Sequence, residues 1–227
     1  MMAEHPAEVA EITRSAQALV LNLGNITDAR MKSMAISAAV AEKNGIPFVI
    51  DLVGIACSKH RRSFAKKLIG KAHPSILKGN YSEIYALYNS AFKSAGVDAD
   101  TTLDADFMSG VCTALARKHN TVILASGETD IISDGKRLIR LYNGSAQLAT
   151  VTGTGCMLGA LCGCYLSVCR SIDAATAACT VLGISGEMAE AEKGSGSFFV
   201  NLLDALSTLS DEDINNIKKE ETEIEEI

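Results

Sequence analysis

Apolar residues are arranged along the chain in two patterns. Short continuous apolar runs, typical of buried strands, are separated by longer segments in which apolar residues recur at helical spacing. The apolar runs predict strands at 18–24, 47–51, 75–80 and 121–125. The helical spacing predicts helices at 6–15, 28–44, 63–71 and 107–119, with another helix opening at Ser82 and Glu83. Thr27 and Asp28 are suited to cap the second helix, and Gly45 is suited to end it.

This order of elements predicts an α/β fold. Strands that lack polar alternation are typical of a mostly parallel central sheet with helices on both faces. Ligands bind such sheets at the carboxyl ends of the strands. The segments that follow the predicted strands should therefore converge on one edge of the sheet, and they are 22–24, 51–54, 78–80, 126–128 and 153–156.

The second half of the chain adds a hairpin and helices to a single domain spanning 1–227. Asp134 and Gly135 form a turn signal between apolar runs at 130–133 and 137–141, which predicts a β-hairpin. Helices are predicted at 157–169, 172–193 and 197–209, and the acidic tail 211–227 is expected to be solvated or frayed. The irregular stretch 90–109 carries acidic residues that would cap or decorate a loop, or alternatively bind a metal: Asp98, Asp100, Asp104 and Asp106.

Composition excludes several classes of protein. The 227 residues carry a net charge of −6, and the densest basic cluster, Lys59–Arg62, favours a solvated helix start over a nucleic-acid contact. The seven cysteines show no disulfide spacing, which favours a reducing cytoplasm. No apolar leader is visible, and the run 151–166 contains four glycines and is too short to span a membrane. We therefore expect a cytoplasmic protein without nucleic-acid or membrane partners.

The segment 150–156, Thr-Val-Thr-Gly-Thr-Gly-Cys, carries the clearest chemical signal. A glycine turn that opens a helix presents unpaired N–H groups at the positive end of the helix dipole, which suits a phosphate. Cys156 lies at the helix start, where a thiol is easily deprotonated or lies close to a transferring group. The alternative is a tight turn that needs glycine only for its backbone angles.

Five ordered motifs over nearly the whole chain resemble one known family. They are Ala-Leu-Val-Leu-Asn-Leu-Gly at 18–24, Asp-Leu-Val-Gly at 51–54, Lys-Gly-Asn-Tyr-Ser-Glu at 78–83, Val-Thr-Gly-Thr-Gly-Cys at 151–156 and Gly-Ser-Gly-Ser-Phe at 194–198. The family is hydroxyethylthiazole kinase, which has the ribokinase-like fold. The resemblance implies phosphorylation of 4-methyl-5-(2-hydroxyethyl)thiazole with ATP and Mg²⁺, in thiamine biosynthesis and salvage, by homotrimers with sites at subunit interfaces.

The resemblance also implies roles for single residues. Met2 and Gly153 would bind the thiazole substrate, and Cys156 would stand near the reaction, where most ribokinase-like relatives have an aspartate base. Asn80 and Glu83 would organise Mg²⁺ and water. The residues that would bind ATP are Lys78, Ser126, Thr154 and Gly155.

Each of these roles has a simpler alternative. Cys156 could fill space, Lys78 could be a solvated lysine, and Ser126 could serve turn chemistry. Asn80 and Glu83 could do no more than cap a helix.

Three departures from the family pattern bear on activity. The family's first strand and its His-Asn-Ile-Thr-Asn segment are missing before Met2, so the start lies upstream or part of the site is absent. Leu52 replaces a proline, and residues 55–57 replace a glycine-containing loop. Ser195 replaces the proline of the family's C-terminal motif, which is a mild change. The missing start and the altered loop 51–57 favour a second hypothesis, a non-catalytic homologue that binds thiazole or nucleotide. A kinase for another small alcohol, such as a hydroxymethylpyrimidine, is a third, against which Cys156 argues.

Overall fold

The computed structural model describes residues 2–92, 103–169 and 172–224. In this part of the chain, seven strands form one sheet in sequence order. The strands are β1 (Leu19–Asn22), β2 (Phe48–Asp51), β3 (Ile76–Asn80), β4 (Val122–Ser126), β5 (Asp130–Ser133), β6 (Arg137–Leu141) and β7 (Glu220–Ile224). The helices are α1 (Val9–Ser15), α2 (Asp28–Asn44), α3 (Lys59–Ile69), α4 (Tyr81–Tyr88), α5 (Ala105–His119), α6 (Thr154–Leu166), α7 (Ile172–Met188), α8 (Ser195–Thr208) and α9 (Asp211–Ile217).

The sheet is mixed. β1 to β4 pair in parallel, whereas β5, β6 and β7 each pair antiparallel to the preceding strand, so β5 and β7 alone run against the other described strands. The predicted α/β architecture and the predicted hairpin are both confirmed. The carboxyl ends of the parallel strands, β1 to β4, are where a ligand site is expected.

Helices cover both faces of the sheet, as predicted. Phe48 and Ile50 of β2 pack into a core that includes residues of α3, α4 and α5. Val49, between them, points to the opposite face and packs into a second core built with α6, α7 and α8. This reversal of successive side chains is the ordinary period of a strand, and burial on both faces explains the uninterrupted apolar run.

Local chemistry sets the helix boundaries. Thr27 Oγ1 accepts a hydrogen bond from Arg30 N at 3.2 Å, and Gly45 ends α2 with a positive φ of 63°, both as predicted. α3 begins at Lys59, before the predicted 63, because Ser58 Oγ accepts from Arg61 N. The basic cluster is therefore the first turn of a helix.

Of two predictions about the second half of the chain, one is wrong and the other holds in part. The glycine turn does not follow a strand, because a short 3₁₀ helix, Ala146–Thr150, leads into it. Gln147 fixes this segment against the end of α7 through two hydrogen bonds with the backbone of Ala191, both 2.9 Å. The described part of the tail is solvated, as expected, because β7 is exposed, but it is not frayed, because β7 pairs with β6 along the edge of the sheet.

In the described part of the acidic stretch 90–109, an aspartate caps a helix, which was one of the two alternatives. Asp104 Oδ1 accepts from Phe107 N at 2.7 Å and caps α5, and Asp106 is exposed. Asp98 and Asp100 lie outside the described residues. Among 2–92, 103–169 and 172–224, no group of three acidic, histidine or cysteine side chains could hold a metal ion. Within the same ranges, no helix combines the length and apolar character needed to span a membrane.

Candidate active site

Polar residues near the carboxyl ends of three neighbouring strands form one hydrogen-bonded row. Asn22, the last residue of β1, pairs in register with Asp51 of β2, and Asp51 pairs with Lys78 of β3. Asn22 Nδ2 donates to Asp51 Oδ2 at 2.9 Å, and Lys78 Nζ donates to Asp51 Oδ1 at 3.1 Å. The predicted convergence of strand ends is confirmed here, and it produces a buried ion pair between β2 and β3, in the parallel half of the sheet.

Lys78 is buried, so the solvated-lysine alternative is wrong. Its side chain is 4% exposed, and its ammonium also donates to the carbonyl oxygen of Gly155 at 2.7 Å. Burial by itself would lower the pKa of Lys78, but the neighbouring Asp51 carboxylate outweighs it and holds that pKa above its ordinary value. The lysine therefore stays positively charged beneath the glycine turn.

The glycine turn opens α6, as predicted. Gly153 has a φ of 110°, a conformation that a side chain rarely allows, and Met157 N is bonded to the Gly153 carbonyl oxygen at 2.9 Å. The amides of Thr154, Gly155 and Cys156 precede this first helical bond, and in the described part of the chain no side chain caps this end of α6. These N–H groups are available to an anion at the positive end of a 13-residue helix.

The Thr154 hydroxyl does not face that anion position. Thr154 Oγ1 donates to the Leu148 carbonyl oxygen at 2.9 Å and lies 3.3 Å from that of Val151. Thr154 would therefore reach a phosphate through its amide, and its side chain stabilises the turn.

Cys156 lies at the same helix start and is exposed. Its Sγ lies 3.3 Å from Nδ2 of Asn22, which also binds Asp51. α6 approaches the row closely, since a Cβ added to Gly159 would lie 3.0 Å from Asp51 Oδ2. An exposed thiol, an amide and a buried carboxylate are thus linked at the edge of the sheet.

Asn80 and Glu83 form the capping box of α4. Asn80 Oδ1 accepts from Glu83 N, and Glu83 Oε2 accepts from Asn80 N, both at 2.9 Å. Glu83 Oε1 accepts from Gly54 N at 2.7 Å, so both carboxylate oxygens are engaged. Burial raises the pKa of Glu83 to about 7, although the N–H groups of Gly54 and Asn80 oppose the rise. Glu83 is close enough to Lys78 to raise the pKa of the lysine.

Ser126 ends β4 and pairs in register with Asn80. Its side chain is half-buried, and its Oγ lies 3.5 Å from the Gly79 carbonyl oxygen. The structure therefore brings Ser126 to the same edge as Lys78, Asn80 and Cys156.

Met2 belongs to an N-terminal segment that is anchored two residues further on, at Glu4. Glu4 Oε2 accepts from Arg30 NH2 at 2.8 Å and Glu4 O accepts from Ser33 Oγ, which holds the N-terminal segment against the beginning of α2. The Met2 side chain is 98% exposed.

A cavity of about 370 Å³ lies at the opposite edge, where β3 and β4 begin. Its lining includes Ser75, Thr121 and Arg137. The amino ends of parallel strands are not where α/β sheets bind substrates, and the row described above is at the carboxyl ends. The row is therefore the better candidate site.

Sequence reasoning assigned no role to Asn22, Asp51 or Tyr81. Asn22 and Asp51 were detectable, because each is a polar residue that directly follows a predicted buried strand. Tyr81 gave no such signal, since its contacts are with a loop 48 positions away.

Comparison with known proteins agrees with this geometry. A family model described as the hydroxyethylthiazole kinase family matches residues 1–212. The chain belongs to the hydroxyethylthiazole kinase family. It is 43% identical over 224 residues to hydroxyethylthiazole kinase 2 of Clostridium botulinum, covering 96% of this chain and 84% of that protein.

Solved structures agree with the family and the fold. The hydroxyethylthiazole kinase protein of Pyrococcus horikoshii OT3 superposes with a TM-score of 0.89 at 32% identity, covering 98% of this chain and 84% of that chain. A putative phosphofructokinase from Staphylococcus aureus covers all of this chain and 65% of its own, with a TM-score of 0.62 at 14% identity. That second likeness shows the fold alone. The predicted family and the ribokinase-like α/β fold are both confirmed.

Proposed function

We propose that this chain transfers the γ-phosphoryl group of ATP to the hydroxyethyl oxygen of 4-methyl-5-(2-hydroxyethyl)thiazole. The observation that carries the proposal is the uncapped start of α6 above the buried Lys78–Asp51 pair, at the carboxyl ends of β1 to β3. Family membership supports the identity of both substrates.

Phosphoryl transfer depends mainly on positioning and on neutralising charge. The alcohol oxygen forms a bond to the γ-phosphorus, the bond from that phosphorus to the β–γ bridging oxygen breaks, and the alcohol loses its proton. The amides of Thr154, Gly155 and Cys156 would hold the equatorial oxygens of the moving group. Lys78 adds a positive charge below them and aligns the turn through the Gly155 carbonyl oxygen.

Cys156 is placed to receive the alcohol proton. Its sulfur is exposed beside the amides, and Asn22 Nδ2 contributes a hydrogen-bond donor 3.3 Å away that orients it. A loose transition state leaves less work for a base, so a sulfur in place of a carboxylate suffices. Gly153 has no side chain and leaves room for the substrate beside the thiol.

Asn80 and Glu83 do not fit a direct magnesium site. Both carboxylate oxygens of Glu83 already accept backbone N–H groups, so the capping box holds this side chain in place. Magnesium would enter as part of the ATP substrate, coordinated by phosphate oxygens and water. The capping box would then position the β3–α4 corner near that complex.

We place the rest of the nucleotide along the ends of β3 and β4, beside Asn80 and Ser126. Ser126 Oγ lies on the surface of this corner and can donate to a phosphate or ribose oxygen. Lys78 contributes its charge from within the sheet, because its ammonium is already bound by Asp51 and Gly155.

Met2 would contact the thiazole in a homotrimer with sites at subunit interfaces. Its almost complete exposure in one chain supports a role that a neighbouring chain completes. Light scattering tests the assembly, with three chains of 23.9 kDa per particle as the expected result. We also propose a cytoplasmic location, because Cys112 and Cys162 are free thiols.

The activity is tested by mixing the protein with ATP, Mg²⁺ and the thiazole alcohol and measuring ADP and the phosphate ester. Both products should form in equal amounts, and hydroxymethylpyrimidine should be a poor acceptor. Binding of thiazole or ATP without turnover would instead support the non-catalytic homologue.

A further inference from the structure

Tyr81 joins the corner at Asn80 to the loop that follows Ser126. It is the first residue of α4, directly after the capping residue Asn80, and its side chain is buried. Its hydroxyl donates to the Thr129 carbonyl oxygen at 2.6 Å. The side chain therefore spans from the β3–α4 corner to the β4–β5 loop, residues 127–129.

Gly127 lies directly against the ring of Tyr81. A Cβ added to Gly127 would lie 2.8 Å from Cε1 and Cζ of that ring, closer than real contacts permit. Glycine is thus required at this position by the approach of an aromatic face, and the loop backbone rests on the ring.

A second contact holds the same loop from its other end. Gly127 N donates to Asp130 Oδ1 at 3.1 Å, where Asp130 begins β5. The loop is therefore fixed at its Gly127 amide by Asp130 and at its Thr129 carbonyl oxygen by Tyr81. Ser126, the last residue of β4, directly precedes this loop and pairs in register with Asn80.

We propose that Tyr81 is a positioning residue for nucleotide binding, which holds the β4–β5 loop in place beside Ser126. The proposal rests on the proposed function, because it assigns this edge to ATP. Tyr81 does not reach the acceptor alcohol, which we place at Gly153 and Cys156. Its loss should affect ATP and leave the thiazole largely untouched.

The test compares Tyr81→Phe with Tyr85→Phe. Tyr85 lies one turn further along α4, and its hydroxyl accepts a hydrogen bond from Asn89 at 3.3 Å, so the control removes a comparable group from the same helix. For Tyr81→Phe, KM for ATP should rise about 3- to 10-fold, as expected for one hydrogen bond. KM for the thiazole should change less than about twofold, and Tyr85→Phe should resemble the wild type.

Gly127→Ala gives an independent test, because the added methyl group must displace the loop from the ring. It should raise KM for ATP at least as much as Tyr81→Phe. The positioning role would be overturned if KM for ATP were unchanged in Tyr81→Phe and Gly127→Ala. It would also be overturned if KM for ATP and KM for the thiazole rose equally.

Calorimetric titration with ADP separates this proposal from the proposed function. Wild-type turnover alone tests the function. If turnover is absent, ADP should still bind about 3- to 10-fold more weakly to Tyr81→Phe than to the wild type. Failure of the wild type to bind ADP, or equal affinities, counts against the role of Tyr81.

Discussion

The Lys78 ammonium lies 2.7 Å from the carbonyl oxygen of Gly155, although the two residues are 77 positions apart in the chain. Lys78 belongs to β3 and Gly155 to the first turn of α6. Because the same ammonium also binds Asp51, a buried ion pair in the sheet determines where the helix begins. The proposed anion site is thus aligned by a charge that solvent hardly reaches.

Lys78→Met should destabilise the protein and abolish phosphoryl transfer. The substitution leaves the buried Asp51 carboxylate without its cation, which costs about 3–5 kcal/mol for pairs of this kind. Urea unfolding measures the stability, and ADP release measures the activity.

The double variant Asp51→Asn with Lys78→Met separates the two effects. Removing both charges should restore part of the stability, because no buried charge is left unpaired. Activity should remain lost, since the turn at Gly155 has no donor beneath it. Recovery of activity in the double variant would show that Lys78 matters only for folding.

Glu83 should make stability depend on pH. Its pKa in the folded protein is raised to about 7, above its value in an unfolded chain, so the folded state holds the proton more tightly. The contribution is fully present below about pH 4.5 and is lost as pH rises to about 7, by about 3 kcal/mol at most.

The difference in unfolding free energy between the wild type and Glu83→Gln isolates this effect. Glutamine does not titrate, so the difference should fall between about pH 4.5 and 7 and stay level above it. Urea unfolding at several pH values provides the measurement. A difference that rises over this window would show that the carboxylate is stabilised in its charged form.

The parallel half of the sheet and the main site were predictable from the sequence, because both follow from local rules. Apolar runs specify buried strands, and parallel strands bring their carboxyl ends together. The glycine turn before α6 also carries its own chemistry. Burial of Lys78 was not predictable, because its partners Asp51 and Gly155 come from separate elements.

The edge strand in the tail and the 3₁₀ helix before the glycine turn were not predicted, because both depend on contacts between distant parts of the chain. The charged residues 220–224 have no apolar face, and β7 forms through backbone pairing with β6 and ion pairs from Arg140 to Glu221 and Glu223. β-branched residues at 150–152 favour a strand, but the hydrogen bonds of Gln147 to Ala191 draw the preceding residues into a 3₁₀ helix. In both places a tertiary contact overrides local propensity.

Cys156→Ala should lower kcat about 10-fold or more and leave KM for ATP nearly unchanged. The thiol would accept the alcohol proton, and its loss removes that help without disturbing the amides. Cys164→Ala is the matched control, since Cys164 is also exposed on α6 but lies two turns further on. Steady-state kinetics with both substrates decide the matter, and unchanged turnover would make Cys156 a space-filling residue.

Gly153→Ala should reduce kcat/KM at least about 10-fold, because a side chain at a φ of 110° is strained and the turn must move. Gly45→Ala is the control, since Gly45 also has a positive φ, 63°, and open space around its Cβ position, but it precedes the amino end of β2. Both variants should lose roughly 1–2 kcal/mol of stability, measured by urea unfolding. Only Gly153→Ala should lose activity, because only there does the strained backbone carry the amides that meet the phosphate. Equal losses of activity would mean that the glycine turn serves the fold alone.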